Sequence, residues 1–252
     1  MSLLKKIHPE QSLKELRWFD IGIVTLIMFG QFIVRSTQMY LASLSPNLST
    51  AVSETSTNTA SEGAAYSSNF TLQIILLAFA IIYLWIRHFD FKQLPIRLKW
   101  SVLLWVPFIF AIMGLFADMV STLSGQYNYF SPQVLAFISP MAVIDKFMAL
   151  STMAIAYGLL NGFYEEFFFL GLLTSVKDKY KWWVLLFSTI VRVSFHTYQG
   201  MLWALVIGVA FGLLYYFLYQ YKVKNLLPFF LVHALADMFG SSLIYLLVNW
   251  NY

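Results

Sequence analysis

The chain has no cysteine among its 252 residues, and only 11% of them are charged. The first absence excludes disulfides, iron–sulfur clusters and thiol catalysis. The second excludes a water-soluble domain, in which about a quarter of residues carry charge. Hydrophobic residues make up 60%, too many for a water-facing surface, so most of the exterior must lie in lipid. A soluble enzyme, a disordered scaffold and a secreted disulfide-bonded domain are excluded together. The net charge is +4, but the basic residues form no patch, so no nucleic-acid partner is expected.

What is present is a series of long apolar runs, near residues 19–41, 70–86, 101–121, 141–174, 183–199, 201–220 and 226–249. They predict an all-α fold: a polytopic integral membrane helical bundle with about seven transmembrane helices, or eight if a re-entrant stretch precedes Met141. The run 141–174 is longer than one untilted span requires, so it is either a tilted helix or is broken near Gly158 or Gly162. The first run reads as an uncleaved helix, too long for a signal-peptide core. The reading is one membrane domain over 1–252, with N-terminal helices in 19–99 and a core in 100–250.

Lysine and arginine set an orientation. Lys5, Lys6, Lys14 and Arg17 precede the first run. Arg87, Lys92, Arg97 and Lys99 follow the second, Lys177, Lys179 and Lys181 the fourth, and Lys222 and Lys224 the sixth. The alternate loops, about 42–69 and 122–140, have none. The positive-inside rule then places the amino terminus in the cytoplasm. Trp18, Trp85, Trp100, Trp182 and Trp183 fall at the cytoplasmic ends of the runs, the position of interfacial tryptophans. The expected location is a cell membrane, multi-pass, of the bacterial plasma-membrane type, with the lipid bilayer as partner. The outer loop of about 42–69 is rich in Ser, Thr, Ala and Asn and reads as a mobile linker.

Ionisable residues inside apolar runs cost free energy and are functional hypotheses by default. Asp118, Asp145 and Lys146 lie near outer ends and are read as reaching water or pairing locally, and Arg35 as a structural pair or a snorkelling side chain. The rest group as Tyr164-Glu165-Glu166, Arg192-x-Ser-Phe-His196 and His233-x-x-x-Asp237. Arg192 and His196 share a helix face, as do His233 and Asp237. At 1.5 Å per residue, Glu165 lies about 18 Å from Lys177, His196 about 22 Å from Lys181 and Asp237 about 20 Å from Lys224. Three runs thus carry acids and imidazoles at similar depth, which reads as one shared polar site. The competing reading is a hydrogen-bonded network joining helices. Two adjacent carboxylates are poor glue, because like charges repel unless a cation or proton intervenes; Arg192 is the candidate cation.

A carboxylate beside a neutral imidazole can take a proton from water, and a second imidazole with its acid can stabilise an oxyanion or protonate a leaving amine. That set suits peptide hydrolysis without a covalent intermediate. Zinc is the alternative, with Glu165, His196 and His233 as ligands, although no HExxH helix is present.

The same three groups resemble the motifs of the CPBP (Abi) family, EExxxR, FxxxH and HxxxN or HxxxD. That family contains CAAX-prenyl endopeptidases and bacteriocin-processing or self-immunity proteins. The resemblance covers about residues 100–250. It implies an intramembrane endopeptidase acting on a membrane-associated peptide or protein, in bacteriocin or pheromone maturation or in immunity. It implies Glu165 as the base, His196 as its partner on the water, His233 and Asp237 as the oxyanion pair, Glu166 and Arg192 in support, and no cofactor. Two positions depart from the pattern: Leu170 stands where the family has Arg, and Arg192 where it has Phe. The positive charge has then moved from one helix to another. A non-catalytic scaffold of the same fold, or a proton-coupled transporter, would be the other uses of these residues.

Overall fold

The computed structural model describes residues 12–45 and 59–249. Every regular element among them is helical, and the pairing between extended segments is limited to isolated bridges, Leu13 with Phe89 and Ile138 with Val248. In chain order the helices are α1 (Trp18–Ser43), α2 (Thr59–Ile86), α3 (Val102–Leu123), α4 (Met141–Ala149), α5 (Thr152–Glu166), α6 (Lys181–His196), α7 (Met201–Val223), α8 (Leu227–Phe239) and α9 (Leu243–Leu247). A single turn, Pro132–Leu135, precedes α4. Helices α1, α2, α3 and α7 are each long and apolar enough to cross a bilayer. A fifth candidate is α4 followed by Thr152–Leu172, with a bend of 101° between them. The chain is a multi-pass membrane protein.

Three boundaries differ from expectation. First, the run 141–174 breaks at Leu150–Ser151, not at Gly158 or Gly162. Leu150 is extended, and the Ser151 hydroxyl accepts the Ala154 amide at 3.1 Å, capping α5. Gly158 and Gly162 serve packing instead: a Cβ on Gly162 would stand 2.8 Å from the amide nitrogen of Ala234 on α8. Second, the run 226–249 is not one helix. Gly240 takes a left-handed φ of 79° that ends α8, and the Ser242 hydroxyl accepts the Tyr245 amide to start α9. Third, α2 begins at Thr59, so residues 59–69 of the expected linker are helical. Alanines such as Ala64 and Ala65 extend a helix at little cost once the apolar segment has nucleated it. The remainder of that linker, 46–58, lies outside the described residues.

The chain forms two compact units, one of Met1–Ile96 with Tyr164–Leu226 and one of Arg97–Phe163 with Leu227–Tyr252. In the first, α1 packs on α2 and α6, and α6 packs on α7. The Val193 backbone fits against Gly208 so closely that a Cβ there would come 2.7 Å from the Val193 nitrogen. The core of this unit is aromatic. The Phe29 ring lies 5.6 Å from Tyr164, 4.7 Å from Phe168, 5.1 Å from Phe169 and 4.8 Å from Phe195. In the second unit, α3 packs on α8 and α9. The buried Asp118 carboxylate accepts from the Ser242 hydroxyl and, at 2.9 Å, from the Ile244 amide, pinning the start of α9. Lys146 donates to the Val248 carbonyl at 2.5 Å. Asp118 and Lys146 therefore find partners within this unit.

Candidate active site

The first unit holds Glu165, Glu166, Arg192 and His196, all buried. Glu165 and Glu166 close α5, and the backbone then widens into a π-helical segment, Phe167–Leu172. Such widened turns recur at functional sites, because an extra residue per turn re-aims the neighbouring side chains. Arg192 lies on α6 and donates to both oxygens of Glu166, from Nη1 at 2.8 Å and Nη2 at 3.0 Å. Its guanidinium stacks on the Phe169 ring, with Cζ 4.0 Å from the centroid. The stem is held from α7, where Gly212 leaves room: a Cβ there would lie 3.3 Å from Arg192 Cδ.

A planar bidentate pair of this kind is strong and geometrically specific. It joins the helix of the first motif to the helix of the second and neutralises one of two adjacent carboxylates. Both of these hydrogen bonds go to Glu166, the second of the two adjacent acids. His196 ends α6. Its Nδ1 lies 2.8 Å from the Arg192 carbonyl oxygen, which can only accept, so Nδ1 carries the proton. In the neutral ring this leaves the lone pair on Nε2, the form needed to accept a proton or orient water.

The second unit holds His233, Asp237 and Asn161. His233 Nε2 stands 3.9 Å from Asp237 Oδ1 on the same helix, and Asn161 Nδ2 donates to Asp237 Oδ2 at 2.8 Å. Asn161 is buried on α5, one turn before Glu165. It was not singled out from the sequence. An amide four residues before a buried acid, inside an apolar run, is the signal that could have found it. With Asn161 donating, Asp237 is an acceptor at Oδ2, so its carboxylate needs no proton to complete that contact.

In a comparison with family models, residues 147–239 match the model described as type II CAAX prenyl endopeptidase Rce1-like. This segment is similar to the CAAX protease family. It covers just over a third of the chain and includes all three residue groups described above, while α1, α2 and α3 lie outside it. No curated protein and no solved structure matches the chain.

Proposed function

We propose that this protein is an intramembrane endopeptidase that hydrolyses a peptide bond in a membrane-associated peptide or protein. The observation that carries the reading is the Glu166–Arg192 pair beside Glu165. A purely structural pair has no need of a second buried carboxylate next to it. A site that must deprotonate water does, and neutralising Glu166 reduces the repulsion that would otherwise oppose an ionised Glu165. In this reading Glu165 takes a proton from water while His196, through Nε2, holds that water toward the scissile carbonyl. The water oxygen bonds to the carbonyl carbon, and the carbonyl oxygen takes the negative charge. His233, supported by Asp237, stabilises that oxyanion. The proton on Glu165 passes to the leaving amine as the carbon–nitrogen bond breaks.

The charge relocation fits the same reading: the cation that the family pattern carries five residues after the first Glu comes here from Arg192, since that position is Leu170. The orientation proposed is seven crossings with the amino terminus in the cytoplasm, supported by the absence of Lys and Arg from the alternate loops of about 42–69 and 122–140. The reaction is proposed to need no metal; zinc held by Glu165, His196 and His233 is the alternative. The peptide is proposed to be a prenylated carboxy-terminal tail or a bacteriocin- or pheromone-type precursor, the former by likeness to the matched model.

The test uses the purified full chain in detergent with two fluorescent probes, a farnesylated CAAX peptide and an unprenylated apolar leader peptide. Cleavage of either, lost in His196→Ala and unaffected by a chelator, is the expected result. Stoichiometric metal with chelator-sensitive cleavage would overturn the metal-free form. The Leu170 departure favours one other reading, a non-catalytic scaffold. Cleavage of neither probe, with His196→Ala and wild type behaving alike in cells, would favour it.

A further inference from the structure

The first helix lies outside the segment that matches the protease family, yet it touches both elements that carry the candidate chemistry in its unit. At Met28, its backbone carbonyl accepts the hydroxyl of Tyr164, the residue before Glu165, at 2.5 Å. At Phe29, its ring sits among Phe168 and Phe169, which follow Glu166, and Phe195, which precedes His196. At Ser36, its hydroxyl meets the turn that follows His196.

The Ser36 contact has a defined direction. Thr197 Oγ1 donates to the Ser194 carbonyl at 3.1 Å. Its oxygen is therefore the acceptor for Ser36 Oγ, 2.9 Å away. Ser36 Oγ in turn accepts the Tyr198 amide at 2.9 Å. The chain of bonds runs Tyr198 N–H to Ser36, Ser36 O–H to Thr197, and Thr197 O–H to Ser194. It draws the Tyr198 amide sideways to α1 as α6 gives way to the tight turn Thr197–Gln199, so His196 is the last residue of α6. The same ring has its Nδ1 fixed on the Arg192 carbonyl. Met28, Phe29 and Ser36 are buried, as are Tyr164 and Thr197. Met28 and Ser36 are separated by about 12 Å along the helix axis.

We propose that α1 is the template that holds the Glu165 and His196 elements in register, with Tyr164 on Met28 and the Thr197–Tyr198 turn on Ser36 as its two fixed points and Phe29 as the wedge between them. Ser36 and Tyr164 are positioning residues: neither touches the reacting atoms, and each acts through its neighbour, His196 or Glu165. The inference rests on the reading of these two residues as base and imidazole, but its first readout, the His196 ring, does not depend on substrate.

The test is nitrogen NMR of the full-length protein in detergent, labelled at its four histidines, with the His196 ring assigned by His196→Gln. Wild type is expected to show His196 as a single tautomer protonated at Nδ1. Ser36→Ala should move the His196 ring nitrogens toward the tautomer-averaged position while leaving the His233 signals in place. Ser36→Thr should restore part of the shift, and Thr189→Ala, which removes a hydroxyl bond elsewhere on α6, should leave it unchanged. Tyr164→Phe removes one hydroxyl only and keeps the test alive if Ser36→Ala does not fold: a lower cleavage rate, about tenfold, at unchanged KM is expected. An unmoved His196 ring in Ser36→Ala overturns the proposal, and so does a Tyr164→Phe protein with wild-type rate. If no variant or wild type cleaves either probe but the ring shift appears, the template stands and the protease reading fails.

Discussion

Two arginines in the first unit are buried against carboxylates at nearly equal distances, and their surroundings differ. Arg87 Nε lies 2.6 Å from Asp20 Oδ1, and Arg192 Nη1 lies 2.8 Å from Glu166 Oε1. Both guanidiniums face a ring, Phe19 at 4.9 Å and Phe169 at 4.0 Å. Asp20 is then closed off: Tyr83 donates to Oδ1 at 2.7 Å and the Arg17 amide to Oδ2 at 3.0 Å. Nearby, Leu13 exchanges backbone hydrogen bonds with His88 and Asp90, so the pair acts as a clasp that fastens the start of α1 to the end of α2. The Arg192 pair has a second carboxylate next to it in sequence and an imidazole one turn along its own helix. Burial and pairing are common to both sites. A second buried carboxylate, Glu165, is particular to one of them, and that carboxylate is the basis for reading chemistry there.

The comparison breaks most sharply under truncation. Arg87→Met and Arg192→Met each leave a buried carboxylate with its cation removed, a loss of about 3–5 kcal/mol. Chemical denaturation should show both. Neutralising the partner as well separates them. Asp20→Asn with Arg87→Met should recover both stability and cleavage. Glu166→Gln with Arg192→Met should recover stability while cleavage stays at least tenfold down. Equal recovery of cleavage in the two double variants would make the Arg192 pair another clasp.

A smaller effect tests where the cation must sit. Arg192→Phe with Leu170→Arg rebuilds the family arrangement, and Leu170 is buried in the same unit. The double variant is expected to cleave about tenfold faster than Arg192→Phe alone, a change of about 1.4 kcal/mol in the barrier. No gain over the single variant would show that the charge has not relocated.

A third effect lies in the second unit, where the acid is held by a neutral donor. Asn161→Leu removes a hydrogen bond to a carboxylate, which is worth about 1.5–3 kcal/mol. Cleavage should fall while the Arg192–Glu166 pair keeps its stability contribution in a double-mutant cycle. Wild-type cleavage in Asn161→Leu would remove Asn161 from the site.

Much of the fold was legible because lipid imposes a simple pattern. The runs 19–41 and 101–121 differ from α1 and α3 by at most two residues at either end. The breaks were harder. Ser151 and Ser242 are capping residues, but inside long apolar runs their signal was outweighed by hydropathy, and the glycines drew attention instead. Gly158 and Gly162 mark a close helix contact, which sequence reads no differently from a kink. The π-helical segments at Phe167–Leu172 and Val206–Phe211 have no local sequence signature and follow from packing. Of the candidate site, charged residues stood out against an apolar background. Asn161, Ser36 and the Tyr164 hydroxyl did not, because neutral polar side chains are common in membrane helices and only their partners give them meaning.

Glu165 is proposed as the group that activates water, and Glu165→Gln tests this with the least disturbance of shape. The measurement is the rate of probe cleavage by the purified variant, with thermal unfolding and the His196 ring signals recorded on the same sample. The expected result is a loss of about 10³-fold, in the range for removal of a general base, with unfolding temperature and ring signals at their wild-type values. A Glu165→Gln protein that cleaves at the wild-type rate would contradict the account.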